Sequence, residues 1–327
     1  MNPGLGSSTK SYFVNEPNYY AELYAYLKLC KISKHYSLLR RDFLFLPLAG
    51  QGDAMTEAPS LPAFNQPARL GFPTTLGPWG PLLAGFYDVA RTELPHERGF
   101  WKSLISPDMD VLEIGAGNGF ISTALAEARP RTLTLVEPEK ENIRILEHNL
   151  AKEKFRMTPE IVPARFETGA FRPQDLIVLP FDTLPMITDT ASRAKIFLIA
   201  AKYLKPGGTF VLHVSTDAWV ERFFATPQNT VTQACSTYDK RNLLTKRTSR
   251  RISESQYIKF YHLKDESTGL QENYLALTSI VTPEEILSAA KTAGLTLSSW
   301  YSDFEKHPGP VPTSDDHIFV FKKVSSP

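Results

Sequence analysis

Cysteine is nearly absent: Cys30 and Cys235 are the only two in 327 residues. They give no disulfide framework and no thiolate cluster for a metal, which fits a reducing, cytoplasmic setting. Histidine, aspartate and glutamate nowhere gather at ligand spacing, so no metal is expected. An excess charge of one sign is also missing. The formal net charge is +1, so no global field points to nucleic acid or to an acidic membrane surface. No apolar run reaches the length of a membrane span. Met1 to Lys10 lacks the apolar core of a signal peptide. No internal repeat is present. What remains is a globular chain with 42% hydrophobic residues, enough for a sizeable core.

The chain is organised around Asp110 to Phe120, Asp-Val-Leu-Glu-Ile-Gly-Ala-Gly-Asn-Gly-Phe. The β-rich run Val111 to Ile114 feeds Gly115, Gly117 and Gly119, and Phe120, Ile121, Ala124, Leu125 and Ala128 then repeat at helical spacing. This predicts strand, tight turn, helix, with glycine admitting a ligand where a Cβ would clash. A second strand, Thr132 to Val136, ends in Glu137, followed by Pro138. A carboxylate there is placed to accept hydrogen bonds from the hydroxyls of a ribose. The dinucleotide fingerprint is G-x-G-x-x-G. This loop is G-x-G-x-G, and Glu113 precedes it, which suits a cationic ligand better than a pyrophosphate.

These residues resemble motif I, and the acidic strand end after it, of the class I S-adenosylmethionine (SAM)-dependent methyltransferases. Further matches extend the resemblance. Asp175-Leu-Ile-Val-Leu-Pro-Phe-Asp182 reads as a buried parallel strand and is similar to motif IV. Leu-Lys-Pro-Gly-Gly-Thr-Phe-Val, from Leu204 to Val211, resembles the helix stop and strand that follow it in this class. Thr282-Pro-Glu-Glu285, a capping box with proline at the first helical position, opens a stretch through Gly294 and Trp300 to Phe304. That stretch is similar to the end of small-molecule N-methyltransferases acting on glycine and amino sugars.

The resemblance implies a Rossmann-like α/β fold: a seven-stranded, mostly parallel sheet with an antiparallel last strand, flanked by helices. It implies SAM as cofactor, contacted by Glu113, Gly115, Gly117, Gly119, Glu137, Pro138, Phe166 and Leu179. Phe86-Tyr87-Asp88 is similar to a Tyr-Asp pair upstream of motif I. Arg91, one helical turn on, is a candidate partner for the SAM carboxylate. Two positions depart from the pattern. Arg165 stands where an acidic residue reads the adenine amino group, with Glu167 as a substitute, and Met186 stands where a histidine is common. Tyr87, Asp182 and His213 are the candidate catalytic groups, His213 alternatively being a hydrogen-bonded residue of the sheet.

Four segments are expected: an N-terminal extension over 1–85, a SAM-binding core over 86–214, a lid insertion over 215–281 and the end of the core over 282–327. Asn15 to Leu39 reads as a tyrosine-rich helix, which leaves a homodimer open, and Gly50 to Pro81 as an irregular Pro/Gly-rich segment. Leu82 to Trp101 reads as one helix. In the insertion, Gln256 to Leu263 and Leu270 to Ile280 alternate as two strands, with Tyr257, Tyr261 and Tyr274 as expected wall residues. The basic run Lys240 to Arg251 is either a solvated face or a grip on a phosphate or carboxylate.

The expected activity is in-line methyl transfer from SAM to a small-molecule acceptor, first an amine nitrogen of a specialised metabolite. O- or C-methylation and a non-catalytic SAM-binding scaffold are the alternatives. No nucleic-acid or membrane partner is expected.

Overall fold

The computed structural model describes residues 79–90, 95–152, 155, 157–225, 229–236 and 238–324. The tyrosine-rich helix that left a homodimer open, the Pro/Gly-rich segment before Trp79 and Arg91 lie outside the described residues.

A twisted sheet carries the molecule. Its strands are β1 (Asp110–Ile114), β2 (Thr132–Val136), β3 (Glu160–Val162), β4 (Gln174–Leu179), β5 (Leu204–Ser215), β10 (Leu295–Tyr301) and β11 (Asp316–Lys323). The order is β10-β11-β5-β4-β1-β2-β3, and β11 runs antiparallel to both neighbours. This is the Rossmann-like sheet with a reversed last strand that the resemblance implied. Successive residues of the central strands face opposite sides. Leu112, Ile177 and Phe210 pack with Ile196, Phe197 and Ile286 on one side. Val111, Val178 and Val211 pack with Trp101, Leu125 and Leu146 on the other. Burial on both faces explains why β4 reads as a continuous apolar run.

The helices are α1 (Pro81–Ala90), α2 (Pro95–Lys102), α3 (Phe120–Glu127), α4 (Lys140–Ala151), α5 (Thr190–Tyr203), α6 (Asp217–Ala225) and α7 (Pro283–Thr292). The single helix expected over Leu82 to Trp101 is two, α1 and α2. Pro95 starts the second, a favourable first position because its missing N–H has no intrahelical acceptor to lose. Asp189 caps α5 by accepting from Ser192 N at 2.7 Å, and Thr282 caps α7 by accepting from Glu285 N at 3.3 Å. The Lys-Pro-Gly-Gly turn lies inside the span of β5 as an irregularity, with Gly207 at φ 74°.

Between β5 and α7 the chain builds a second, antiparallel sheet of four strands rather than two. Its strands are β6 (Asn229–Cys235), β7 (Asn242–Arg251), β8 (Gln256–Asp265) and β9 (Gln271–Ser279), paired in that order. The basic run is therefore largely a strand, β7. Its Lys and Arg side chains hid the alternation because half of them point inward. This second sheet also holds α1 in place. Glu272 Oε2 accepts from Leu82 N at 3.0 Å and from Tyr274 Oη at 2.6 Å, satisfying one of the open N–H groups at the start of the helix.

Candidate active site

A cavity of about 430 Å³ opens at the carboxyl ends of β1, β2 and β4 and is roofed by β8 and β9. Its size lies within the range of small-ligand sites, and its position is where open α/β sheets bind ligands. Glu113, Gly115, Gly117, Glu137, Pro138 and Phe166 line it, as do Tyr87 and Asp182 from the other end of the set. Gly119, Leu179 and His213 do not.

The glycine loop is shaped by its own conformations. Gly117 has φ 55°, and a Cβ placed there would meet nothing within 4 Å, so it faces open space over the cavity. Gly119 has φ 90° and a Cβ would lie 2.6 Å from Leu146 Cδ1, so this glycine is required by helix packing instead. Glu137 fixes the loop from β2. Its Oε2 accepts from Gly117 N at 2.8 Å, and its Oε1 accepts from Glu139 N at 3.0 Å and Asn142 Nδ2 at 3.3 Å. A carboxylate has about four acceptor sites, so these three donors leave roughly one for a ligand hydroxyl.

Glu113 lies beneath the loop, fully buried, and accepts from Ser122 Oγ at 2.6 Å. Burial pushes its pKa up to about 8, against the Ser122 hydrogen bond and helped by the nearby Glu137. Burial raises Glu137 as well, although its three donors oppose the rise. Burial opposes ionisation of both acids, and a cation bound against them would favour their charged form, so the pocket suits a cationic ligand. On the same wall, Asn142 Oδ1 is buried without a partner among the described residues. The donor and acceptor set thus fits SAM: an open glycine cradle, acceptors for ribose, and buried acids for a sulfonium and an ammonium.

The raised acid carries a stability prediction. Glu113 is protonated in both folded and unfolded chain well below the ordinary glutamate value of 4.5. Above that value the unfolded chain releases the proton and the folded one keeps it, so stability falls as pH rises and levels off beyond about 8. Glu113→Gln retains a neutral acceptor for Ser122 and removes this dependence. Thermal melts without cofactor should show the variant gaining up to roughly 4 kcal/mol at pH 8 and little at pH 5. A gain that does not grow with pH would contradict the buried neutral acid.

The far end of the cavity starts where β4 ends. Phe181 and Asp182 both adopt positive φ, 55° and 52°, a region that side-chain-bearing residues rarely occupy. Ser215 holds this turn: its N and Oγ each donate to Asp182, at 2.6 Å. Tyr87 Oη meets Tyr261 Oη at 3.0 Å, and the Trp79 ring lies 4.6 Å from the Tyr87 ring. Tyr257, Tyr261 and Tyr274 were the expected lid wall; they share the face of the wall but lie beyond the edge of the cavity, packed against α1 and α6. Lys259, Ala276 and Thr278 form the wall itself. Arg165, Glu167 and Met186, the two departures and the substitute acid, all border the cavity.

His213 sits away from this lining, buried between Phe181 and Phe304, with its Nε2 2.8 Å from Asp316 Oδ1. Burial lowers its pKa, but Asp316 and Asp182 more than offset this and the net shift is upward. Its Nδ1 is buried without a partner among the described residues.

Sequence reasoning missed Arg193 altogether. Buried on α5, it donates to both oxygens of Glu285 at 2.6 and 3.1 Å, to Ile187 O at 2.7 Å, to Ser279 Oγ at 3.0 Å and to Thr190 Oγ1 at 2.9 Å. It joins α5, α7, the turn carrying Met186 and the end of β9.

Residues 100–239 match the family described as the methyltransferase small domain. With the fold and the cavity, this defines the class: a SAM-dependent methyltransferase, with SAM as its cofactor. Several solved structures share the fold. One is a SAM-dependent methyltransferase from Clostridium acetobutylicum (TM-score 0.60, 14% identity, covering 75% of this chain and 98% of that one). Another is the sugar N-methyltransferase KedS8 from a Streptoalloteichus species (TM-score 0.58, 15% identity, 84% and 100% covered). A third is CalS10, an amino pentose methyltransferase from Micromonospora echinaspora, solved with SAM bound (TM-score 0.54, 17% identity, 75% and 98% covered). No curated protein matches the sequence.

Proposed function

We propose that the chain methylates an amine nitrogen of a small-molecule acceptor, in the chemistry of specialised metabolism. The carrying observation is the composition of the cavity's far end. Tyr87, Asp182 and Lys259 converge there, under a roof made by an inserted sheet. A roof of this kind shuts out water and encloses a small acceptor. The sugar N-methyltransferase and the amino pentose methyltransferase that share the fold support the choice of an amine.

SAM, when bound, supplies an electrophilic methyl group on a sulfonium. Gly115, Gly117, Glu137 and Pro138 hold it, with Phe166 at the adenine end and Glu113 beneath the loop. The protein's work is then positioning and desolvation, which together account for much of the rate in such displacements. An ammonium is not a nucleophile, so the acceptor must arrive neutral or lose a proton on the enzyme. Asp182, oriented by Ser215, lines the cavity and is the group that can take that proton, while Tyr87 Oη, held by Tyr261, can accept a hydrogen bond from the amine and orient it.

The test is a screen of small amines against their matched alcohols, following formation of S-adenosylhomocysteine and the mass of the product. Turnover of one or more amines, with the alcohols at background, is expected. Turnover of alcohols alone would replace this reading by O-methylation.

A further inference from the structure

The inner face of the lid sheet bears a set of polar atoms that no described residue satisfies. On β7 the inward positions are Thr245, Arg247 and Ser249. Thr245 Oγ1, Arg247 Nε and Ser249 Oγ are all buried without a hydrogen-bond partner. Buried polar atoms left unmet each cost about 1–3 kcal/mol, so three at alternate positions of one strand need a reason. The pairing of β7 with β8 sets Ser249 directly across from Lys259 and Arg247 across from Tyr261. Arg247 and Lys259 are therefore diagonal neighbours on one face, with Cβ atoms roughly 7–8 Å apart or slightly less.

Neither cation has an ion-pair partner among the described residues. Arg247 rests on the Phe223 ring, 5.2 Å from its centroid, and Lys259 lies 5.3 Å from the centroid of Tyr257. Asp182 is the carboxylate nearest in influence to Lys259, and both its oxygens are engaged by Ser215. Burial pulls the Lys259 ammonium toward neutrality, and Arg247 adds to this. Tyr257, Tyr87 and Asp182 outweigh both, so Lys259 stays charged.

Every group in the set can donate, and the two strongest can only donate. A ligand meeting them must therefore be an acceptor. Lys259 is the member that borders the cavity, on the wall opposite the glycine loop. We infer that the acceptor substrate carries an anionic oxygen group, a carboxylate or a phosphate, which seats on Lys259 with Ser249 and Arg247 beside it. This rests on the methyl-transfer reading and adds to it a substrate class and a specificity-determining residue. The anion anchors the acceptor on the lid while its amine points toward Asp182 and Tyr87.

The experiment uses the full chain saturated with S-adenosylhomocysteine, whose binding is measured first by calorimetry. Inorganic phosphate and acetate are then titrated separately at constant ionic strength, with melting temperature as the readout. At least one of them should stabilise the protein saturably. Lys259→Gln should weaken that effect roughly ten- to hundredfold, while Lys259→Arg, which preserves the charge, should retain most of it. Lys264→Gln is the control. Lys264 is on β8 but points to the other face, so it makes the same change in net charge away from the site. Lys259→Met, which keeps the buried stem, replaces the Gln variant should that one fail to bind S-adenosylhomocysteine.

Stabilisation by acetate alone assigns a carboxylate, by phosphate alone a phosphate, and by both an anion of either kind. No stabilisation by either ligand, or equal losses in the Lys259 and Lys264 variants, overturns the inference and leaves the methyltransferase reading intact. Failure of wild-type protein to bind S-adenosylhomocysteine would overturn the reading on which it rests.

Discussion

Glu137→Ala should reduce the affinity for S-adenosylhomocysteine by roughly 30- to 1,000-fold, as read by calorimetry against wild type, with NADH as the control ligand. The size follows from what the carboxylate holds. It accepts from Gly117 N, Glu139 N and Asn142 Nδ2, and it is nearly fully buried. Its removal leaves two backbone N–H groups and an amide without partners, each costing about 1–3 kcal/mol. It also frees Gly117 from the position that keeps the cradle open. Glu137→Gln is the informative companion. It preserves volume but replaces one acceptor oxygen with a donor, so either Gly117 N or Glu139 N faces an N–H. Its loss should be intermediate. Unchanged affinity in both variants, or tight binding of NADH, would refute the assignment of this carboxylate to the cofactor.

Arg193→Met should destabilise the protein by about 3–5 kcal/mol, the cost of breaking one side of a buried, hydrogen-bonded ion pair. For a domain of this size that corresponds to a fall in Tm of roughly 10 °C. The side chain is 5% exposed, and its guanidinium satisfies Glu285, the Ile187 carbonyl, Ser279 and Thr190 at once. Met fills the volume and satisfies none of them. Adding Glu285→Met should recover much of the loss, because the worst consequence of the single change is a stranded carboxylate. A single variant that melts within about 1 °C of wild type would show that water replaces the arginine at little cost. Since the same side chain fixes the turn that carries Met186, poorer acceptor turnover should accompany the lower Tm.

These two residues differ sharply in how visible they are without a structure. Glu137 ends a strand two elements along from a glycine loop, and both signals are local. Glycine conformations, a capping box and a Lys-Pro-Gly-Gly stop are readable because each is settled within a few residues. Arg193 and Glu285 are 92 positions apart, and nothing in either neighbourhood marks them as a pair. The same holds for the lid. The strands β8 and β9 were legible from alternating tyrosines and leucines. β7 was not, because Lys246, Arg247, Arg250 and Arg251 look alike in sequence while only Arg247 and Arg251 share the inward face. The expected tyrosine wall failed for a related reason. Alternation tells which residues share a face but not how far along that face the cavity extends. Tyr257 and Tyr261 are covered by helices, and Lys259, between them on the same face, reaches the open space. His213 was visible as a strand-end histidine, but its partner Asp316 comes from a strand about a hundred residues on.

The roof of the cavity consists of side chains on two hydrogen-bonded strands, and the floor consists of loops at the ends of a different sheet. Hydrogen bonds between strands are made by the backbone and do not depend on which side chain a position carries. Positions 259, 276 and 278 can therefore change size or charge while the lid keeps its pairing and the glycine loop keeps its hold on the cofactor. In such a molecule, new acceptors are reached by repainting one surface, and the machinery for the methyl donor is inherited unchanged.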